Sequence, residues 1–253
     1  MASALRLLRA ALLLGAGLAA SAQVLRVAAA ASLQPALGEA VGRFEAAHPG
    51  ASVQVSFGAS GSLTAQIQQG APFDLFLAAD LDYPAKAAAN GHGRGPVFPF
   101  AVGRLVLWIR RDLGLDPAQG LAVLRDARLA RIALANPKLA PYGAAAEAAL
   151  RHEGLWEALQ PRLVFGGNIA QTAQYLQAGA ADAGFIAASE AAHPDLQARG
   201  RAWTVPETLH PPLLQGGVLL KGGSAPALAE AFAAFLRGPE GRAILQRHGF
   251  GPP

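Results

Sequence analysis

Four short stretches carry residues suited to holding an anion, each where an apolar run gives way to small residues and then to a helical pattern. In VAAAASLQPAL, residues 27–37, the lone hydroxyl is Ser32. In SFGASGSL, residues 56–63, glycines alternate with serines, Ser60 among them. In ANPKLAPYG, residues 135–143, Pro141 is placed to start a helix, and Tyr142 follows in its first turn with an N–H and a phenol to offer. In FGGNIAQ, residues 165–171, Asn168 is a good N-cap, while Ile169 can contribute only its backbone N–H. A strand that ends in a helix leaves the first helical N–H groups without intrahelical acceptors, and the helix dipole adds positive potential there. Together these features make an anion site. Ser32 reads as the N-cap of its helix, with a hydroxyl that serves either the helix or a ligand. The glycine–serine stretch lets a ligand approach the backbone closely, and successive N–H groups form a nest.

No carboxylate stands in any of the four stretches. A ligand met by neutral donors should be a fully ionised acceptor, because a protonated oxyanion would need an acceptor for its own proton. Each hydrogen bond to a charged group contributes roughly 1.5–3 kcal/mol, so several converging donors offset the dehydration of an ion.

The elements that must position these turns follow from the rest of the chain. Its 253 residues suffice for two medium α/β lobes. Hydrophobic residues make up 52% of the sequence, but alanine supplies much of the excess. The one strong uninterrupted apolar run is N-terminal, Ala10 to Ala20, preceded by Arg6 and Arg9 and followed by Ala20-Ser21-Ala22. This reads as an export signal over residues 1–22, cleaved after Ala22. No later stretch of about 20 apolar residues follows, so the mature protein is expected to be exported and soluble.

Zero cysteines exclude thiol catalysis, iron–sulfur clusters and cysteine zinc sites. Loss of Arg6 and Arg9 with the signal takes the formal charge from +4 to +2, too weak and scattered for nucleic acid. The six histidines, at 48, 92, 152, 193, 210 and 248, have no metal-ligand spacing. Neither Ser32 nor Ser60 stands in a G-x-S-x-G elbow, which argues against a hydrolase.

From Leu25 onward, short apolar runs alternate with amphipathic stretches, the pattern of βαβ units around mostly parallel sheets. Strands are expected over 25–30, 53–57, 74–78, 104–109, 131–135, 162–165, 183–186, 202–205 and 217–220. Helices are expected over 33–47, 62–69, 84–90, 141–153, 169–178, 225–236 and 239–248. Around 98–107, within FPFAVGRLVLWI, the apolar run is too long for one strand and suggests passage from one sheet to a second. Around 206–215, three prolines precede a return to an apolar strand. Two crossings divide the mature chain into lobe 1, residues 23–102 plus 207–253, and lobe 2, residues 103–206. A cleft at the strand ends between them is where ligands bind in such sheets.

AAASL at 29–33, SFGASGSL with the following GAPFDLFLAAD at 56–80, NPKLAPYG at 136–143 and LRGPEGRAILQRHGF at 236–250 resemble segments of the periplasmic molybdate-binding proteins, the solute receptors of ABC importers. The resemblance covers nearly all of the mature chain, in family order. It implies a type II periplasmic-binding-protein fold, two α/β lobes with a ligand cleft and two interlobe crossings. It also implies capture of tetrahedral molybdate or tungstate through backbone amides and hydroxyls, with no cofactor and no direct protein–molybdenum bond. By position, Ser32 and Ser60 supply hydroxyl and amide from lobe 1, and Tyr142 and Ile169 occupy the two lobe 2 positions. Some members place a ligand tyrosine near the end of a later strand, where this chain has Ala187 in GFIAAS; others place it at Pro-Tyr-Gly, as here. The implied protein is a periplasmic monomer and not an enzyme, with an ABC permease as its partner. Sulfate, another tetrahedral dianion, is the rival ligand. A secreted oxyanion sensor that serves no transporter is the rival role. Iron receptors of similar shape use paired tyrosines, whereas those here are scattered at 83, 142 and 175.

Overall fold

A computed structural model of the protein describes residues 23–253, and the expected export signal over 1–22 lies outside the described residues. Ten strands form among the described residues: β1 (Gln23–Ala30), β2 (Ala51–Gly58), β3 (Leu75–Ala78), β4 (Phe98–Gly103), β5 (Leu105–Arg110), β6 (Ile132–Ala135), β7 (Leu163–Gly166), β8 (Ala183–Ala187), β9 (Gly200–Thr204) and β10 (Leu213–Leu219). They make two five-stranded sheets, ordered β2-β1-β3-β10-β4 and β7-β6-β8-β5-β9.

Strands β3 and β5 are apolar along nearly their whole length because both of their faces are covered. In β5, Leu105, Leu107 and Ile109 join the large core while Val106 and Trp108 point into a second cluster. In β3, Leu75 and Leu77 divide from Phe76 and Ala78 in the same way. Residues alternating to two buried faces give a continuous apolar run rather than an alternating one.

The helices are α1 (Gln34–Ala47), α2 (Ser60–Gln68), α3 (Asp82–Ala89), α4 (Pro141–His152), α5 (Trp156–Leu159), α6 (Ile169–Gln177), α7 (Ala188–Ala191), α8 (Pro194–Arg199), α9 (Pro226–Arg237) and α10 (Pro239–Arg247). Proline opens α4, α8, α9 and α10, where its missing N–H costs no helical hydrogen bond. The helix α1 buries Ala36, Leu37, Ala40 and Phe44, a stripe at helical spacing.

The sheets are mixed rather than mostly parallel. β1 pairs in parallel with β2 and β3, and β6 with β7 and β8. β10 is antiparallel to β3 and β4, and β5 to β8 and β9. The antiparallel strands are those on either side of the crossings. The apolar stretch FPFAVGRLVLWI is two strands in two sheets, β4 and β5, separated only by Arg104. The chain returns between β9 and β10.

Candidate functional site

The four turns converge. A cavity of about 10 Å³ is lined by Ser32, Ser60, Tyr142 and Ile169 together with small residues such as Gly58, Ala79 and Pro141, and no lining side chain is charged. On the scale where roughly 10–15 Å³ admits one water, this compartment leaves no room for a sugar or a peptide. Larger hollows lie elsewhere, such as one of about 420 Å³ bordered by Trp108, Arg110 and Arg111.

Ser32 does not cap α1. It lies inside a 3₁₀ turn, Ala31–Leu33, that intervenes between β1 and the helix, and Leu33 occupies the cap position without a side-chain hydrogen bond. The tight turn uses backbone bonds, with the Gln34 N–H donating to the Ala31 carbonyl, so the hydroxyl is not spent on the helix. Ser32 is fully buried, and its Oγ has no hydrogen-bond partner among the described residues. The Tyr142 hydroxyl stands beside it, and an arriving acceptor can take the Ser32 proton.

Ser60 is the first residue of α2, two residues ahead of the expected start. Its Oγ accepts the Ala79 N–H at 3.1 Å, and its carbonyl accepts the Thr64 hydroxyl at 2.8 Å. A hydroxyl that already accepts keeps its one proton to donate. Its own N–H, at the first helical position, has no intrahelical acceptor.

Tyr142 is the second residue of α4 and is 2% exposed. Burial pushes its phenol above the ordinary tyrosine value, so it stays a protonated donor; the neighbouring Ser32 hydroxyl acts in the opposite sense. The ring reaches the first crossing. A Cβ on Gly103 would overlap the Tyr142 hydroxyl and lie 2.8 Å from Gln215 Nε2, so glycine is what admits the phenol there. Ile169 opens α6 behind Asn168, whose Oδ1 accepts the Gln171 N–H at 2.9 Å as the sequence anticipates. The Ile169 N–H is thereby left at the helix start without an intrahelical acceptor.

Contacts between elements of the two sheets surround the cavity. The Gly61 N–H donates to the Leu139 carbonyl at 2.9 Å, and the Tyr83 hydroxyl to the Lys138 carbonyl at 3.4 Å. The Ser189 hydroxyl donates to the Ser32 carbonyl at 2.8 Å. Two carboxyls flank the site without lining it. Burial raises Asp80, next to Ala79, to about 6 despite the Tyr83 N–H that favours its charged form. Burial raises Glu190, next to Ser189, to about 7, and its Oε1 is buried without a partner. Both shifts reduce negative charge around the cavity.

Sequence reasoning missed Ala79, Ser189, Glu190, Gly103 and Gln215. Only Gln215 left a signal, as the lone polar residue in the apolar strand LLQGGVL. Among the described residues, no group of three histidine, aspartate or glutamate side chains is placed to hold a metal ion.

Residues 25–251 match the family described as bacterial extracellular solute-binding protein. The chain is 39% identical over 233 residues to the molybdate-binding protein ModA of Rhodobacter capsulatus, covering 92% of this chain and 89% of the relative. It is 40% identical over 242 residues to ModA of Azotobacter vinelandii, covering 94% and 95%. The solved structure of the Azotobacter vinelandii periplasmic molybdate-binding protein superposes with a TM-score of 0.84 at 34% identity, over 90% of this chain and 99% of that one.

Proposed function

Because the chain belongs to the bacterial extracellular solute-binding proteins and matches their molybdate-binding members along most of its length, we propose that it captures molybdate, and tungstate with it, for an ABC importer. The observation that carries this reading is the single small cavity where four strand-to-helix turns present neutral donors and no charged side chain. The buried Ser32 hydroxyl and the free proton of Ser60 come from one side. The amides at the starts of α4 and α6, with the Tyr142 phenol, come from the other. Such a set suits a fully ionised tetrahedral dianion, and its lining carries no carboxylate to take up a proton from a protonated oxyanion.

In this reading the binding unit is a monomer of two lobes, 23–102 plus 207–253 and 103–206. It is exported to the periplasm after cleavage behind Ala22, and it binds its ligand without chemical turnover or nucleic acid. Lobe 1 receives the ion at Ser32 and Ser60. Closure about the crossings then brings Tyr142 and the Ile169 amide over it, and the closed form is what the permease recognises. The names of the relatives favour molybdate over sulfate.

Calorimetric titration of the mature protein with molybdate, tungstate, sulfate and phosphate tests the assignment. One-to-one binding of the first two with no response to the others is the expected result, and Ser60→Asp should abolish it while leaving thermal unfolding intact. Equal binding of sulfate would make this a general sulfate-type receptor. Retained binding in Ser60→Asp would move the site elsewhere.

A further inference from the structure

We propose that Gln215, which does not line the cavity, is a positioning residue that holds the Ser60 hydroxyl as a donor by clamping Ala79. The inference rests on the reading of Ser60 as a ligand to the ion.

Gln215 lies in β10, an inner strand of the first sheet between β3 and β4, and is fully buried. A buried amide is costly unless it is hydrogen-bonded, and this one is bonded in a way that matters for the site. Backbone pairing of β10 with β3 stops at Gly216 opposite Ala78. One residue further, the side chain takes over: Gln215 Nε2 donates to the Ala79 carbonyl at 3.2 Å and to the Leu213 carbonyl at 2.9 Å. Two carbonyl acceptors fix which end of the amide is nitrogen. The β10–β4 register shifts between Gln215 and Gly216, with the extra residue, Phe100, on the β4 side.

Ala79 is the residue whose N–H occupies the acceptor side of Ser60 Oγ, at 3.1 Å. With that side filled, the serine proton is directed elsewhere, and Ser60 borders the cavity. If Ala79 shifts, the hydroxyl loses its fixed acceptor role and rotates freely. Gln215 therefore acts on the ion through two intervening groups. Gln215 Nε2 and the Tyr142 hydroxyl both border the space beside Gly103 that a Cβ would fill. Its Oε1 is buried with no partner among the described residues.

The test is a thermodynamic cycle read by molybdate calorimetry, with thermal unfolding recorded in parallel. Gln215→Met keeps the side-chain length and removes both bonds; it should weaken binding about tenfold, the value of one typical hydrogen bond. In a Ser60→Ala background the same change should cost nothing further, an interaction that a merely structural role would not produce. Wild-type affinity in Gln215→Met, or fully additive losses in the double variant, would overturn the proposal. If Ser60→Ala itself binds normally, the assignment of Ser60 falls and the proposal falls with it.

Gln215→Glu decides the matter if the methionine variant does not fold. A protonated carboxyl donates to Ala79, whereas a carboxylate cannot and repels the anion. The affinity of this variant relative to wild type should therefore recover as pH is lowered, over the range where molybdate stays a dianion. A pH-independent ratio would contradict the clamp.

Discussion

At the scale of single residues, the lining of the candidate cavity carries no charged side chain. Ser32 and Ser60 were legible in the sequence because small and hydroxyl residues recur at strand-to-helix turns. What fixes their protons was not, since Ala79 and Ser189 come from distant segments and only the fold brings them near. Ser32 also shows the limit of local rules, because a 3₁₀ turn displaced the helix start and freed the hydroxyl from capping. Glu190 gives a prediction with a definite sign. Its carboxyl is raised by burial from 4.5 to about 7, so between those values the folded protein holds a proton that the unfolded chain has released. Its contribution to stability is full below the unfolded value and is lost as pH rises through 7. Glu190→Gln removes that penalty at high pH. The melting temperature of the variant minus that of wild type should become more positive between pH 5 and pH 8, as followed by thermal denaturation. A constant difference would mean that the carboxyl titrates normally.

At the scale of elements, the long amphipathic helices α1, α4, α6, α9 and α10 were read correctly to within a residue or two, because their periodicity is strong. The short helices α5, α7 and α8 were missed, having too few residues to show a period. The run through β4 and β5 was read as passing from one sheet to a second, but β4 received no bounds of its own, because its apolar residues run directly into β5 and the break at Arg104 leaves no turn signal. That junction has a functional consequence. Gly103 closes β4 beneath the Tyr142 hydroxyl, where a methyl group has no room. Gly103→Ala should lower stability by about 1–3 kcal/mol, as overpacking in a buried site does, and displace the phenol from the cavity. Chemical denaturation measures the loss, and adding Tyr142→Phe should recover part of it. A Gly103→Ala protein as stable as wild type would show that the ring has another place to go.

At the scale of the whole molecule, two sheets joined by two crossings were foreseeable from the alternation of elements and from the two breaks in it, but were expected to be mostly parallel. The antiparallel pairing of β5 and β10 was not, because strand direction follows from how the chain enters each sheet rather than from composition. The arrangement places helix starts from both sheets around one compartment, with cross-sheet bonds at Gly61–Leu139 and Tyr83–Lys138 beside it. Where the ion sits is therefore decisive. Diffraction from crystals of the molybdate complex, collected at the molybdenum absorption edge, locates it directly. We predict one anomalous peak in the cavity, with the oxygens of the ion within hydrogen-bonding distance of Ser32 Oγ, Ser60 Oγ and the Tyr142 and Ile169 amides. A peak elsewhere, or one beside a carboxylate or histidine, would contradict a site built from neutral donors.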